Sequence, residues 1–135
     1  MGIFKRKTPI ITAVTNKKLC SEIRKKARDL NSKVFFLGKD FFVESNENNV
    51  FNFQNKRMNL KNLYLANKGR YQIYNAGLAL HAISVLSDLK QFRIKTDSIK
   101  NALKTLCWPA RLEFIPSNKN YTGSNILLDV AIILL

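Results

Sequence analysis

Few side chains in this sequence stand in an arrangement that performs chemistry. The single histidine, His81, falls within an Ala/Leu-rich segment and reads as a helix-flank residue rather than a base or ligand. Cys20 and Cys107 have neither metal-ligand spacing nor companion cysteines, so they read as two reduced thiols of a cytoplasmic protein. Asp40, Glu44 and Glu47 offer carboxylates for acid–base work, but they fall around a turn and read as solvated groups. The glycines never approach the G-x-x-x-x-G-K-S/T pattern of a phosphate-binding loop; Gly38-Lys39 runs straight into Asp40. Aromatics among cations suit stacking on nucleic-acid bases, and Phe41, Phe42, Phe51, Phe53 and Tyr64 offer such a set. Phe at alternate positions, however, is also how a strand builds a core. Neither a catalytic triad nor a metal site is legible.

The elements that would position these groups follow from periodicity. Residues 8–14 are short, β-branched and apolar, a buried strand with Pro9 near its start. Thr15 or Asn16 then caps a helix whose apolar face is Leu19, Ile23, Ala27 and Leu30. Lys17, Lys18, Arg24, Lys25, Lys26 and Arg28 fill its wet side. Residues 33–37 form a second apolar strand ended by Gly38, and strand–helix–strand at this spacing requires parallel pairing. Residues 41–44, 49–53 and 58–65 alternate apolar with polar, as half-exposed antiparallel strands do, with an Asn-rich turn at 46–49. From Tyr71 the period lengthens, and Ile73, Ala76, Gly77, Leu80, Ile83 and Leu86 predict a helix. Thr96 or Asp97 caps another through Ile99, Leu103 and Leu106, stopped at Trp108-Pro109. A strand at 111–116, a polar linker at 117–124 and an apolar strand at 126–135 complete the chain.

Three stretches, and a fourth near the start, carry a resemblance. Gly69-Arg70-Tyr71-Gln72-Ile73-Tyr74-Asn75-Ala76-Gly77-Leu78-Ala79 is similar to the G-x-H-Q-x-x-N-A-x-x-A segment of folylpolyglutamate synthases and dihydrofolate synthases. Trp108-Pro109-Ala110-Arg111-Leu112-Glu113 resembles their W-P-G-R-x-E motif, and Ile126-Leu127-Leu128-Asp129-Val130-Ala131 the opening of L-D-x-A-H-N-P. Near the start, Met1-Gly2-Ile3-Phe4-Lys5 with Thr8-Pro9-Ile10-Ile11 resembles E-K-A-G-I-x-K-x-x-x-P-V-V. The motifs keep the family's order, and the resemblance covers nearly the whole chain but only part of a family member. It implies an α/β fold: over residues 1–116, part of a Mur-ligase-like central ATPase domain, a mixed sheet with flanking helices. A linker at 117–124 and the first strand of a missing Rossmann-like C-terminal domain at 125–135 would follow.

The activity so implied is ATP-dependent ligation of L-glutamate to a folate or dihydropteroate through an acyl phosphate, with ATP and Mg2+ in the family. A carboxylate is a poor electrophile until its oxygen becomes a leaving group, and cationic groups must stabilise the charge passing through the phosphoryl transfer. Carried over by motif, Asn75, Arg111 and Asp129 are nucleotide contacts. The Asn75 amide donates and accepts. The Arg111 guanidinium clamps nucleotide oxygens as a fork. Asp129 would reach the nucleotide from the C-terminal domain. Without the motifs, Asn75 reads equally as a helix cap, Arg111 as a surface cation and Asp129 as turn chemistry. No catalytic residue is assigned.

The sequence also departs from the family pattern. Tyr71 stands in place of His and Ala110 in place of Gly, while the P-loop and upstream Mg2+ ligands are missing. The family lysine of E-K-A-G-I, which in relatives carries a carbamate, would fall just before Met1. Asp129-Val130-Ala131 continues as Ile132-Ile133-Leu134-Leu135 instead of His-Asn-Pro, as loss of the first base of CAT-AAT-CCT would produce. The expectation is therefore an inactive fragment, the product of a decaying ligase gene, ending in an apolar strand with no sheet to join.

Composition bounds the alternatives. At 135 residues, 46% hydrophobic and 24% charged, the chain has the size and make-up of one globular domain. Lys+Arg number 23 against nine Asp+Glu, a formal charge of +14 that invites anionic partners. The 16 Lys, 15 Asn and 12 Ile are residues of A/T-rich codons, which yields the same charge without any partner. A small basic nucleic-acid-binding protein is thus the alternative, although no specific nucleic acid is expected. Another is one half of a split ligase completed by a separate P-loop-bearing chain. Residues 130–135 are the longest apolar run, far below the roughly 20 that cross a membrane. No apolar signal core follows Lys5-Arg6-Lys7, and Arg6 stands where myristoylation wants Ser or Thr.

Overall fold

The computed structural model describes residues 3–67, 69–90 and 92–108, and the backbone of 113–115 and 126–128. Strand β1 (Ile10–Thr12), helix α1 (Lys17–Asp29) and strand β2 (Val34–Phe36) form the expected unit, with β1 and β2 paired in parallel, Ile10 opposite Val34. Asn16 is the α1 cap: its side-chain oxygen accepts the Leu19 N–H at 3.1 Å. The helix ends in a Schellman arrangement in which Ser32 N–H donates to Ala27 O and Asn31 N–H to Arg28 O. Asn31 takes the left-handed position with φ 50°, a role that a short amide side chain tolerates. The buried face of α1 is Cys20, Ile23 and Ala27. Leu19, expected inside, is exposed, because Cys20 stands almost a full turn before Ile23 and fits against the strands while its Sγ donates to Val14 O at 3.1 Å. Cys20, Ile23 and Phe36 form a small apolar cluster that gathers in Phe4, Ile10, Val14 and Val34, and the Arg24 guanidinium lies 4.5 Å from the Phe36 ring centre.

Gly38, at φ +81°, turns the chain from β2 into β3 (Phe41–Ser45), and Asp40 Oδ2 accepts the Phe36 N–H at 2.8 Å across that turn. Strands β3, β4 (Val50–Asn55) and β5 (Asn59–Tyr64) make an antiparallel sheet in that order. Asn48 and Asn49 both adopt positive φ in the β3–β4 turn, as the Asn-rich composition anticipates. A bulge between Phe51 and Phe53 is satisfied by Asn52, whose side-chain oxygen accepts the Asn62 N–H at 3.0 Å. Alternation places Phe41, Phe51 and Phe53 on the covered face, and the irregularity in β5, with Asn62 at φ 54°, brings Leu60 and Leu63 onto it although they are three residues apart.

Helix α2 (Arg70–Lys90) lies on that face and buries Ile73, Ala76, Gly77, Leu80, His81 and Ser84. At about 100° per residue these six share one stripe, whereas Leu86 rotates to the opposite side. Of the expected apolar positions Ile83 is half-buried, but Leu86 is exposed, and Ser84 occupies the inner position. Helix α3 (Thr96–Thr105) begins one residue earlier than expected, with Lys95 at the cap and no side-chain cap bond. It buries Ile99 and rests Leu103 on the core, with Leu106 exposed beyond its end. Backbone strands β6 (Glu113–Ile115) and β7 (Ile126–Leu128) pair antiparallel, so residues 126–128 have a partner strand where none was expected. The linker at 117–124 lies outside the described residues. The result is a mixed α/β architecture of parallel and antiparallel sheets with flanking helices. No helix among the described residues is long and apolar enough to cross a membrane.

Candidate functional site

Asn75 sits in the second turn of α2, on the side away from the buried stripe, and is exposed. Its Nδ2 donates to Gln72 Oε1 at 3.3 Å, one turn earlier, and the helix already begins at Arg70. The cap reading of Asn75 therefore fails on position: the amide is spent on a neighbouring side chain, not on free backbone N–H groups. It is free to exchange that weak pairing for a ligand that both donates and accepts. Arg111 and Asp129 lie outside the described residues, so of the three candidate nucleotide contacts only Asn75 has visible surroundings.

The core arrangement that residue types alone did not reveal surrounds His81. Only 5% of His81 is exposed. Its ring stacks on Phe41, centroids 4.4 Å apart and planes 14° apart, and meets the Phe35 ring edge-on at 4.9 Å. Asn55 closes the β4–β5 turn, and its Oδ1 accepts from Arg57 N–H at 2.9 Å and Met58 N–H at 2.8 Å. Those two donors fix which end of the amide is oxygen, so Asn55 Nδ2 is the group 3.2 Å from His81 Nδ1. Nδ1 is thus the acceptor, and the neutral ring carries its proton on Nε2. Nε2 is buried and has no hydrogen-bond partner among the described residues. Burial pushes the His81 pKa below its usual value, against a smaller upward pull from Asp40.

A pocket of about 240 Å³ opens beside this ring, lined by Pro9, Phe35, Asp40, Asn55, His81 and Val85 among others. The helix-flank reading of His81 is thereby corrected: it faces inward, because the 73–76–77–80 spacing carries residues 81 and 84 onto the same face. That spacing was the available signal. Phe41, Phe51 and Phe53 are fully buried, so they serve the core and offer no stacking surface, while Phe42 and Tyr64 face outward. Asp40 is engaged at the β2–β3 turn rather than poised with Glu44 and Glu47. Among the described residues no three His, Cys, Asp or Glu side chains converge as a metal cage, an arrangement that Mg2+ on a nucleotide does not need, since one or two carboxylates beside the phosphates suffice.

No family profile and no curated protein sequence matches this chain. Solved structures do. A folylpolyglutamate synthase from Thermotoga maritima matches with a TM-score of 0.79 and 25% identity, over 96% of this chain and 30% of that one. A complex of FPGS with AMPPCP and folate matches with a TM-score of 0.83 and 23% identity, over 95% and 31%. Mycobacterium tuberculosis folylpolyglutamate synthase complexed with ADP matches with a TM-score of 0.71 and 16% identity, over 91% and 27%. The fold implied by the three motifs is therefore present, and this chain is built as one segment of a folylpolyglutamate synthase is built, spanning about 30% of the length of those structures.

Proposed function

We propose that this chain is a nucleotide-binding segment of a folylpolyglutamate synthase-like, ATP-dependent ligase. The observation that carries the reading is the coincidence of two independent signals. Three motifs occur in the family's order, and 96% of the chain superposes on one segment of such an enzyme. In this reading residues 1–116 belong to the ATPase domain, 117–124 to the linker and 125–135 to the start of the next domain. Asn75, Arg111 and Asp129 contact ATP. A carboxylate oxygen of a folate or dihydropteroate attacks the γ-phosphorus and ADP leaves. The amine of L-glutamate then attacks the acyl carbon, phosphate leaves, and an amide remains.

The sequence holds no P-loop pattern, so the chain alone is assigned nucleotide contact without turnover. The test mixes the chain with a separately produced P-loop-bearing segment of a folylpolyglutamate synthase and follows ATP hydrolysis. Turnover that depends on folate and glutamate, and appears only in the mixture, is the expected result. Asn75→Ala should weaken that activity about tenfold or more while shifting stability by less than about 0.5 kcal/mol, since the side chain is exposed. No turnover in the mixture, together with no ATP binding by the chain, sinks the proposal.

A further inference from the structure

We propose that the pocket beside His81 binds a small single-ring carboxylate, held by the Nε2–H of His81. The reading stands on this pocket alone and is independent of the ligase assignment. A buried N–H without an acceptor is costly, and native structures leave few of them unexplained. Here the orphan is a donor, because Asn55 has already taken Nδ1 as its acceptor. The missing group must therefore bring an oxygen or another acceptor.

The walls set its body. Pro9, Phe35, Val85 and Leu89 give the pocket an apolar side. A cavity of about 150 Å³ suffices for benzene, so about 240 Å³ holds one ring with a carboxylate attached. The rim sets its charge. Lys33, Lys56 and Arg57 line the pocket together with Asp40 and Asp88. Arg57 is paired with Asp88, and Asp40 is bonded to the Phe36 N–H. Asp40 keeps its charge in that bond, but Lys33 and Lys56 have no ion-pair partner among the described residues, and three cations against two carboxylates leave the lining with one positive charge in excess. A flat anion then satisfies the histidine, fills the apolar side and meets the two ammonium groups.

The experiment uses the whole 135-residue chain, with benzoate as the probe and NMR as the readout. His81 is the only histidine, so its ring gives one unambiguous set of signals. Benzoate should move the His81 Hε1 and Nε2 resonances saturably, with a dissociation constant on the order of millimolar, and move the Phe35 and Val85 amides with the same curve. Benzamide keeps the ring and the acceptor but not the charge, and should bind about tenfold more weakly. His81→Phe keeps an aromatic ring on Phe41 without the donor, and should lose at least about tenfold in affinity as read at Val85. Lys56→Met, on the exposed rim, leaves folding undisturbed and should weaken benzoate several-fold. Unmoved His81 resonances, equal binding of benzamide, or undiminished binding in both variants would each overturn the proposal.

Discussion

His81 couples local geometry to the pH dependence of the whole fold. The Asn55 oxygen is committed to the turn N–H groups, so its amide points at Nδ1 and selects the Nε2–H form of the neutral ring. Protonating Nδ1 would set a new N–H against the Asn55 amide and charge a ring enclosed by Phe35 and Phe41. Burial accordingly lowers the folded-state pKa, with Asp40 opposing it. Unfolding restores the ordinary value of about 6.5, so the unfolded chain binds the proton more readily. Stability is then fully present above about pH 6.5 and is lost as pH falls through that value toward the lowered folded pKa. The urea midpoint should decline between about pH 7 and pH 5.5, and His81→Phe should flatten that decline, since no other side chain ordinarily titrates in the window. An unchanged decline in the variant would assign it to carboxylates instead.

Helix α2 is held against β3 through a glycine. A Cβ on Gly77 would collide with Val43 Cγ2, which belongs to a stiff, β-branched side chain close to the strand backbone. In an isolated helix Gly→Ala gains up to about 1 kcal/mol. Here overpacking, typically about 1–3 kcal/mol, outweighs that gain, and Gly77→Ala should destabilise by about 1–2 kcal/mol. Adding Val43→Ala should return part of the loss as a coupling energy in a double-mutant cycle; strictly additive losses would show that the helix does not rest on Val43. The same contact shows where sequence reading succeeds and where it stops. Pattern reading found the helix, its small residues and the strand–helix–strand unit, because period and capping are local properties of the chain. It misplaced Leu19 and Leu86, since large apolar side chains outnumber the inner positions and only packing decides which are left outside. It took Thr96 or Asp97 for a cap that Lys95 occupies by backbone alone. Asn75 was legible only through its motif. The His81 pocket was not legible at all: Pro9, Phe35, Asn55 and Val85 come from separate elements that meet only once α2 lies across the sheets.

Charge acts on the molecule as a unit. The formal balance of +14 is spread widely: the cations of α1 (Lys17, Lys18, Arg24, Lys25, Lys26 and Arg28) are all exposed, and Arg57–Asp88 is the one ion pair among the described residues. Such a surface offers little pairing for salt to break and much like-charge repulsion for salt to relieve. Raising KCl from about 0.01 M to 1 M shortens the Debye length from about 30 Å to about 3 Å, which removes repulsion between cations on different elements. The urea midpoint should rise steadily over that range. Affinity for any nucleic acid should fall steeply at the same time and without regard to sequence, as expected of diffuse charge alone. The two trends separate the readings of this basicity. A selected nucleic-acid surface would retain discrimination between sequences as salt rises, because base contacts survive when phosphate contacts are screened. A charge set only by codon composition would lose all binding together, while the α/β core, built on Phe41, Phe51, Phe53 and Leu63, gains stability.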